Sequence, residues 1–454
     1  MSEKTIAAIA TPLGEASIGV IRISGSDAIK TAERCFTAFS GERLGALDGY
    51  RAAYGNITEE NDAVIDDAVA LVFRAPKSYT GEDVVEISVH GGRQVLRRAL
   101  RRVLECGAQM AAAGEFTKRA FLNGKLDLAK AESVMELISA KNQTALKISR
   151  DARDGVLSRA IEEICDRLLE TAASLAVYAD YPDEELEGLS PERFSALLEE
   201  CYQKTERLLL SYDAGRIVRE GIDCAIVGKP NVGKSSLMNM LCGSERSIVT
   251  DIAGTTRDII ENTVNIGDVT LNLADTAGIH ETADTVERVG VDRANKRIEN
   301  AGLILAVFDA SSPLDSDDKN LLAQLKDKRA IAVLNKTDMP QRVLADELSP
   351  LTAVEISALN NTGYDELSRE ISRACDLGLL DSSDAVLISE RQYDCARRAL
   401  EALSGAREAI LSGITLDAVS VCIDDAIAAF LELTGKRVTN EVADEVFKRF
   451  CVGK

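Results

Sequence analysis

The chain has 454 residues, 46% of them hydrophobic, and a formal net charge of −21. This length suggests about three domains with ordinary globular cores. The acidic balance argues against a protein that reads DNA sequence, so any work on nucleic acid requires a local basic surface or a more basic partner.

The sequence also argues against membrane-spanning, secreted and zinc proteins. The sequence contains no run of 18 apolar residues, so we expect no membrane span. The first residues, MSEKTIAAIATPLGEASIG, lack the pattern of a signal peptide. We therefore expect a cytoplasmic protein. The ten cysteines include no Cys-x-x-Cys pair, which favours buried free thiols. With His90 and His280 as the only histidines, histidine-based triad or metal chemistry is nearly excluded.

Residues 1–118 predict an α+β domain. TIAAIAT, SIGVIRISG, DAVALVFRA and DVVEISVHG are short and rich in Val and Ile, as strands are. RQVLRRALRRVLECG, at 93–107, predicts an amphipathic helix that ends at glycine. From 119 to 219 the chain is rich in Ala, Leu, Glu and Lys and predicts continuous helix, broken at YPDEELEGLSPE.

Residues 220–379 alternate strand and helix patterns. DCAIVG, LNLADT, LILAVFDAS, AIAVLNK and AVEIS predict strands of a parallel sheet. From about Ser389 the chain is helical again. We therefore predict an α/β domain at 220–379, inserted into an all-α domain formed by 119–219 and 380–454.

CAIVGKPNVGKSS follows a predicted strand and precedes a predicted helix. Gly228, Gly233, Lys234 and Ser235 match G-x-x-x-x-G-K-[ST], in which backbone N–H groups and a helix N-terminus hold phosphates. Lys234 would neutralise the β- and γ-phosphates, and Ser235 would bind Mg²⁺. Alone, the pattern is also consistent with a glycine turn beside a surface lysine.

Four later segments, together with this motif, predict a GTP site in a P-loop GTPase domain. DTAG at 275–278 suits Mg²⁺ and the γ-phosphate, and IVTDIAGTTRD at 248–258 predicts the first switch loop. In NKTD, Asp338 can accept from the two N–H donors of guanine that adenine lacks, and ISAL at 356–359 would place a loop N–H near the guanine oxygen. The predicted nucleotide-binding residues are Asn231, Val232, Gly233, Lys234, Ser235, Ser236, Thr250, Asp251, Ile252, Ala253, Gly254, Thr255, Thr256, Asp275, Thr276, Ala277, Gly278, Asn335, Lys336, Asp338, Ser357, Ala358 and Leu359.

Ile279 follows DTAG, where many GTPases have the glutamine that orients the attacking water. Three groups in the sequence could take over the catalytic role of this glutamine. His280 lies next along the chain, and Arg257 could act as an arginine finger. The side-chain oxygen of Asn231 could instead hold a monovalent cation against the phosphates.

These segments resemble the MnmE/TrmE-type tRNA-modification GTPases. The resemblance extends over essentially the whole chain, through ATPLGEASIGVIRISG, SYTGEDVVEISVHGG, GEFTKRAFLNGKLDLAKAE, YPDEE and the terminal FCVGK. It implies a homodimer, an N-terminal domain that binds a tetrahydrofolate one-carbon donor in its 5-formyl or methylene form, and an FAD-containing MnmG/GidA-type partner. Together the two proteins would install an aminomethyl or carboxymethylaminomethyl group at C5 of wobble uridine in certain tRNAs.

The resemblance also implies ligands and catalytic residues. K⁺ would promote dimerisation of the GTPase domains and speed hydrolysis. The implied K⁺ ligands are Asn231, Thr250, Ile252 and Thr255, and the Mg²⁺ ligands are Ser235 and Thr256. The implied folate-binding residues are Arg22, Glu82, Lys125 and Lys454. The catalytic candidates are Lys234, Arg257, Glu287, which would orient the water through a second water, and Cys451, which is linked to the modification chemistry.

A second class of function stays open. A regulatory GTPase of ribosome assembly, without modification chemistry, accounts equally well for the nucleotide motifs. It does not account for the N-terminal domain or for FCVGK, and such proteins usually carry a basic RNA-binding module, which the sequence does not reveal.

Overall fold

The structure is a computed structural model that describes residues 4–180, 191–243, 262–267, 269–273, 299, 301–375, 385–412 and 416–453. Its contacts divide the chain into two compact units. Unit 1 comprises Met1–Met135, Ser158–Glu199 and Arg398–Lys454, and unit 2 comprises Glu136–Leu157 and Glu200–Arg397. The boundaries of the three predicted domains stay a prediction.

Unit 1 contains a seven-stranded sheet in the order β3-β4-β5-β6-β2-β1-β7. Its neighbouring strands run antiparallel, except that β7 runs parallel to β1. The four predicted strands are present, while β3, β4 and β7 were not predicted. The strands are β1 Ile6–Ile9, β2 Ile18–Ser24, β3 Phe36–Ala38, β4 Arg51–Thr58, β5 Val64–Phe73, β6 Val84–His90 and β7 Gln109–Met110.

Unit 2 contains a six-stranded sheet in the order β13-β12-β11-β8-β10-β9. Its neighbouring strands run parallel, as predicted, apart from the unpredicted β9, which forms an antiparallel hairpin with β10. Strands buried on both faces read as nearly continuous apolar runs, and β11 is the clearest example. The strands are β8 Ile222–Val227, β9 Asn262–Ile266, β10 Val269–Leu273, β11 Leu303–Asp309, β12 Ala330–Asn335 and β13 Thr352–Glu355.

Helices account for most of the remaining described chain. Short 3₁₀ turns occur at Leu44–Ala46 and Ala345–Leu348. No helix in the described ranges has the length and apolar character needed to cross a bilayer. The α-helices are α1 Ala28–Glu33, α2 Arg93–Glu105, α3 Glu115–Leu122, α4 Leu128–Ser139, α5 Gln143–Arg153, α6 Val156–Asp180, α7 Pro191–Glu220, α8 Lys234–Gly243, α9 Ser316–Leu325, α10 Tyr364–Ala374, α11 Glu390–Leu411, α12 Leu416–Thr434 and α13 Asn440–Lys448.

The continuous helix predicted from residue 119 onward is wrong in detail, because the structure divides it into α3 to α6. Side-chain caps start two of these helices: the Asp127 carboxylate accepts from the Lys130 N–H at 2.8 Å, and Asn142 Oδ1 accepts from the Ala145 N–H at 2.7 Å. Gly155 separates α5 from α6 in a left-handed conformation with φ of 85°, which favours glycine. Local caps therefore override the average helix propensity of this segment.

The prediction that cysteines are mostly buried free thiols is confirmed for seven of the ten, all of which lie in the described part of the chain. Cys242 and Cys422 are partly buried, and Cys451 is exposed.

Candidate nucleotide site and amino-terminal pocket

The predicted phosphate loop connects β8, which ends at Val227, to α8, which begins at Lys234. Gly233 adopts a left-handed φ of 99°, and a Cβ atom there would lie 2.2 Å from Asn335 Nδ2. The first N–H groups of α8 have no intrahelical partner, so this turn is suited to an anion. The strand-loop-helix context expected for the phosphate-binding motif is therefore present.

Lys234 is directed onto its own loop. Its Nζ donates to the carbonyls of Gly228 at 2.8 Å and Lys229 at 2.7 Å. Burial lowers the pKa of the Lys234 amine, since a desolvated charge is disfavoured. Two neutral carbonyls compensate that cost less well than an anion would, so the ammonium favours a phosphate ligand.

Lys229, in the same loop, is held by two carboxylates that sequence reasoning missed. Its Nζ lies 2.6 Å from Asp315 and 2.7 Å from the buried Asp318. Asp315 caps α9 and Asp318 completes a capping box, a pattern readable from the sequence. The pairing with Lys229 across 86 and 89 positions has no sequence signal.

Asn335 joins the phosphate loop to the loop that follows β13. Its Nδ2 donates to the Val232 carbonyl at 3.0 Å, and its Oδ1 accepts from the Ala358 N–H at 3.1 Å. The side chain is buried, so both amide groups find partners within the protein. Two loops that are far apart in sequence are thus fixed in one arrangement.

The NKTD and ISAL segments are adjacent. The Ser357 hydroxyl donates to Asp338, and the Thr337 N–H donates to the Ile356 carbonyl at 3.2 Å. Lys336 pairs with Asp309 at the end of β11. Because the Ala358 N–H is bonded to Asn335, the expected contact between a loop N–H and guanine stays a prediction.

Several predicted residues lie outside the described residues. They belong to the switch loop, the DTAG segment and its continuation, and residue 454. These residues are Thr250, Asp251, Ile252, Ala253, Gly254, Thr255, Thr256, Arg257, Asp275, Thr276, Ala277, Gly278, Ile279, His280, Glu287 and Lys454.

Unit 1 contains an open pocket of about 330 Å³ beside the predicted folate residue Lys125. Lys125 Nζ donates to the Pro76 carbonyl at 3.0 Å. Tyr79 lines the pocket, and the Arg22 guanidinium lies 5.6 Å from the centre of its ring. The pocket is lined by Tyr50, Phe73, Lys77, Ser78, Tyr79 and Lys125.

Within the part of the chain that the structure describes, Glu82 and Arg22 form no hydrogen bond or ion pair with each other. Glu82 accepts from both the Ser24 hydroxyl, at 2.7 Å, and Arg119, at 3.1 Å. Arg22 pairs with Glu86 at 2.8 Å. Arg119 is buried, and sequence reasoning missed it because it resembles any helix-surface cation.

The segment around Cys451 is attached to the N-terminal part of unit 1. The Gly114 N–H donates to the Cys451 carbonyl at 3.3 Å, and Val452 forms a β-bridge with Ala113. Arg22 donates to the Gly453 carbonyl at 3.3 Å. The Cys451 thiol stays exposed beside these contacts.

Two protein families match the chain. The MnmE helical domain matches residues 128–451, and the N-terminus of the GTP-binding protein TrmE matches residues 5–125. The curated tRNA modification GTPase MnmE of Symbiobacterium thermophilum is 42% identical over 459 residues, covering 100% of both chains. The MnmE of Lactococcus lactis subsp. lactis is 42% identical, covering 99% of this chain and 98% of its own.

Among solved structures, the G domain of the T. maritima FeoB iron transporter covers 34% of this chain and 98% of its own at 26% identity. The TM-score is 0.26, too low to support a structural argument.

Proposed function

The chain belongs to the MnmE family of tRNA modification GTPases, and from this premise we propose how it acts. It is a tRNA-modifying GTPase. With an FAD-containing MnmG/GidA-type partner, it installs an aminomethyl or carboxymethylaminomethyl group at C5 of the wobble uridine of certain tRNAs in the cytoplasm. GTP turnover acts as the switch between conformations of a homodimer.

The observation that best supports a guanine-nucleotide switch is the pair of hydrogen bonds made by Asn335. They connect the phosphate loop at Val232 with the predicted guanine loop at Ala358. A nucleotide that occupies both loops therefore meets two halves of its site already fixed relative to each other.

The phosphates of GTP replace the carbonyl acceptors of Lys234, whose charge gains a stronger partner. Ser235 is exposed in the first turn of α8, where its hydroxyl fits the role of a Mg²⁺ ligand together with Thr256. When bound, Mg²⁺ neutralises charge on the β- and γ-phosphate oxygens.

We propose that a K⁺ ion binds beside Asn231, whose three proposed co-ligands lie outside the described residues. This residue is exposed and adopts a left-handed φ of 65° in the phosphate loop, and its amide oxygen is a ligand suited to a hard cation. Thr250, Ile252 and Thr255 complete the proposed set. When bound, K⁺ supplies positive charge near the transition state, and Glu287 orients the water.

A reduced folate fits the pocket of unit 1 by its chemistry. Tyr50, Phe73 and Tyr79 offer aromatic faces, and Lys77 and Lys125 offer cations for a glutamyl carboxylate. We propose that Arg22, Glu82 and Lys454 contribute to this site as well. The folate supplies the one-carbon unit of the modification.

Cys451 is proposed to take part in the modification chemistry. Its thiol is exposed, while its backbone is fixed by Gly114 and its neighbour Val452. An accessible thiol on a fixed segment can meet a substrate, whereas a buried thiol cannot.

The function is tested by mass spectrometry of tRNA nucleosides from a strain that lacks the gene. We expect the modified wobble uridines to disappear and to return with the wild-type gene. Unchanged wobble uridines, accompanied by defective ribosome assembly, would support the ribosome-assembly GTPase instead.

The K⁺ hypothesis is tested by comparing GTP turnover in K⁺ and Na⁺ at equal ionic strength. We expect K⁺ to raise the rate about tenfold or more, since a well-placed charge lowers the barrier of phosphoryl transfer. Asn231→Ala should abolish the K⁺ advantage while GTP affinity stays within about tenfold, because the ion acts mainly on the transition state. Equal rates in the two salts would contradict the hypothesis.

A further inference from the structure

Helix α2 carries a concentration of positive charge that the proposed function has not used. Five of its 13 residues are arginine, in a chain whose net charge is −21. Leu96, Ala99, Leu100 and Val103 are buried and fix the orientation of the helix. Four of the arginines, at positions 93, 97, 98 and 101, therefore lie exposed on the outward side. The side chain of Arg102 is only 12% exposed and donates to the Thr58 carbonyl at 3.1 Å.

Carboxylates neutralise this charge only in part. Glu59 lies 2.7 Å from Arg98 and 3.9 Å from Arg101, and Glu105 lies 3.7 Å from Arg101 and 3.6 Å from Arg102. Among the ion pairs of the described residues, these two carboxylates pair with three of the five guanidinium groups, those of Arg98, Arg101 and Arg102. The surface of α2 therefore keeps a positive charge.

The spacing and the residue type both favour a row of phosphates. Arg93, Arg97 and Arg101 are exposed and follow each other at i,i+4, which places them along one stripe about 6 Å apart. Each group is arginine rather than lysine, and the planar guanidinium donates two parallel hydrogen bonds to a phosphate.

An acidic protein is a poorer match for this surface. Protein interfaces gain most of their affinity from buried aromatic and aliphatic anchors. The fully buried apolar residues of α2 face its own core, and the exposed stripe offers guanidinium groups alone.

We propose that the arginine face of α2, defined as Arg93, Arg97, Arg98 and Arg101, binds the sugar–phosphate backbone of RNA. The proposal rests on the proposed function, which supplies a tRNA as the RNA. It identifies the local basic surface that an acidic chain requires to approach a polyanion.

The test measures binding of the full chain to an unmodified tRNA transcript over a series of salt concentrations. The face variant is Arg93→Gln/Arg97→Gln/Arg101→Gln. Its matched control, Arg153→Gln/Arg216→Gln/Arg369→Gln, removes the same charge from helix arginines whose side chains are 44%, 54% and 70% exposed.

We expect the face variant to bind tRNA about 10- to 100-fold more weakly at low salt, with a salt slope smaller by about two or three. The control should bind within about twofold of wild type, and GTP turnover should be unchanged in both. Arg93→Lys/Arg97→Lys/Arg101→Lys should retain most of the salt slope with reduced affinity, since lysine keeps the charge and loses the bidentate geometry.

Three results would overturn the proposal: no tRNA binding by the wild type, equal affinity of the face variant and wild type, or equal losses in both glutamine variants. A face variant that binds tRNA normally yet fails to restore wobble modification also overturns it and indicates a protein partner. In a further outcome, the deletion strain keeps its modified wobble uridines while the arginine face still binds tRNA in a salt-dependent way. That pair of results would reject the proposed function and support the RNA-binding role of the arginine face.

Discussion

At the scale of single residues, Gly233 lets the phosphate loop lie close against Asn335. A side chain there would meet Asn335 Nδ2 at 2.2 Å and strain a left-handed backbone. We expect Gly233→Ala to weaken GTP binding at least about 100-fold, because the loop must move away from its phosphate-binding shape. Titration with a fluorescent GTP analogue measures the change.

The matched control is Gly243→Ala at the end of α8, where an added Cβ meets nothing within 4 Å. Its GTP affinity should equal that of wild type. If Gly233→Ala binds GTP within about threefold of that control, the Asn335 contact does not restrict this position.

His90, exposed at the C-terminal end of β6, gives the stability of the fold a pH dependence. Its hydrogen bond and ion pair with Asp66, at 2.8 Å, raise the pKa of His90. Because the folded-state pKa exceeds the unfolded value of about 6.5, the pair stabilises the fold fully below that pH. The contribution is lost as the pH rises through the folded-state pKa.

We therefore expect the difference in thermal midpoint between wild type and His90→Asn to be largest near pH 5.5 and to decrease as the pH rises through the folded-state pKa of His90. Differential scanning fluorimetry across this range measures it. Asp66→Asn should remove the pH dependence, and a difference that grows with pH would contradict this assignment.

The sequence predicts those site residues whose chemistry depends on local motifs. Lys234, Asn335 and Asp338 could be named because phosphate and guanine recognition require fixed spacings. Arg119 and Lys229 could not, because their contacts with Glu82 and Asp315 span 37 and 86 positions and have no sequence signal. The pair that Arg119 forms with Glu115 at i,i+4 looks like an ordinary pair on a helix surface.

At the scale of elements, α5 is tied to the β9–β10 hairpin of unit 2 by polar side chains. Asn142 Nδ2 donates to the Val218 carbonyl at 2.9 Å and to Thr270 Oγ1 at 3.0 Å. Thr270 in turn donates to Asn265 at 2.8 Å, and Asn265 donates to the Lys141 carbonyl at 2.7 Å. One side chain thus caps a helix and connects it to a sheet edge.

We expect Asn142→Ala to destabilise unit 2 by about 2–3 kcal/mol, since it removes a helix cap and leaves polar partners unsatisfied. Hydrogen exchange of the α5 amides measures the local loss. Asn142→Ser keeps a capping oxygen and should recover about 1 kcal/mol. Equal exchange rates in wild type and Asn142→Ala would show that the network carries no stability.

Element type was predictable where patterns are long and regular, as in α2 and β11. Strand β4 was not predicted because its sequence, RAAYGNIT, mixes small and polar residues. Strand β9 was not predicted because its sequence, NTVNI, is also largely polar. These strands form because a neighbouring strand supplies the pairing, which sequence propensity does not contain.

At the scale of the whole molecule, the two compact units draw on segments far apart in the chain. Glu136–Leu157 groups with unit 2, although its two ends lie within α4 and α6, whose remaining residues belong to unit 1. Long-range contacts such as the hydrogen bond between Asn142 and Thr270 decide this grouping, and amino-acid composition does not predict such contacts.

The contact between Arg22 and the Gly453 carbonyl has a consequence for synthesis on the ribosome. Its partners are 431 residues apart, so at typical translation rates roughly 20 to 90 s pass between the emergence of one and of the other. During that interval β1 and β2 can form their sheet, but the surface that receives residues 450–453 is still uncovered. The order of translation thus places the completion of unit 1 after the synthesis of unit 2, although the strands of the unit 1 sheet are made before any part of unit 2.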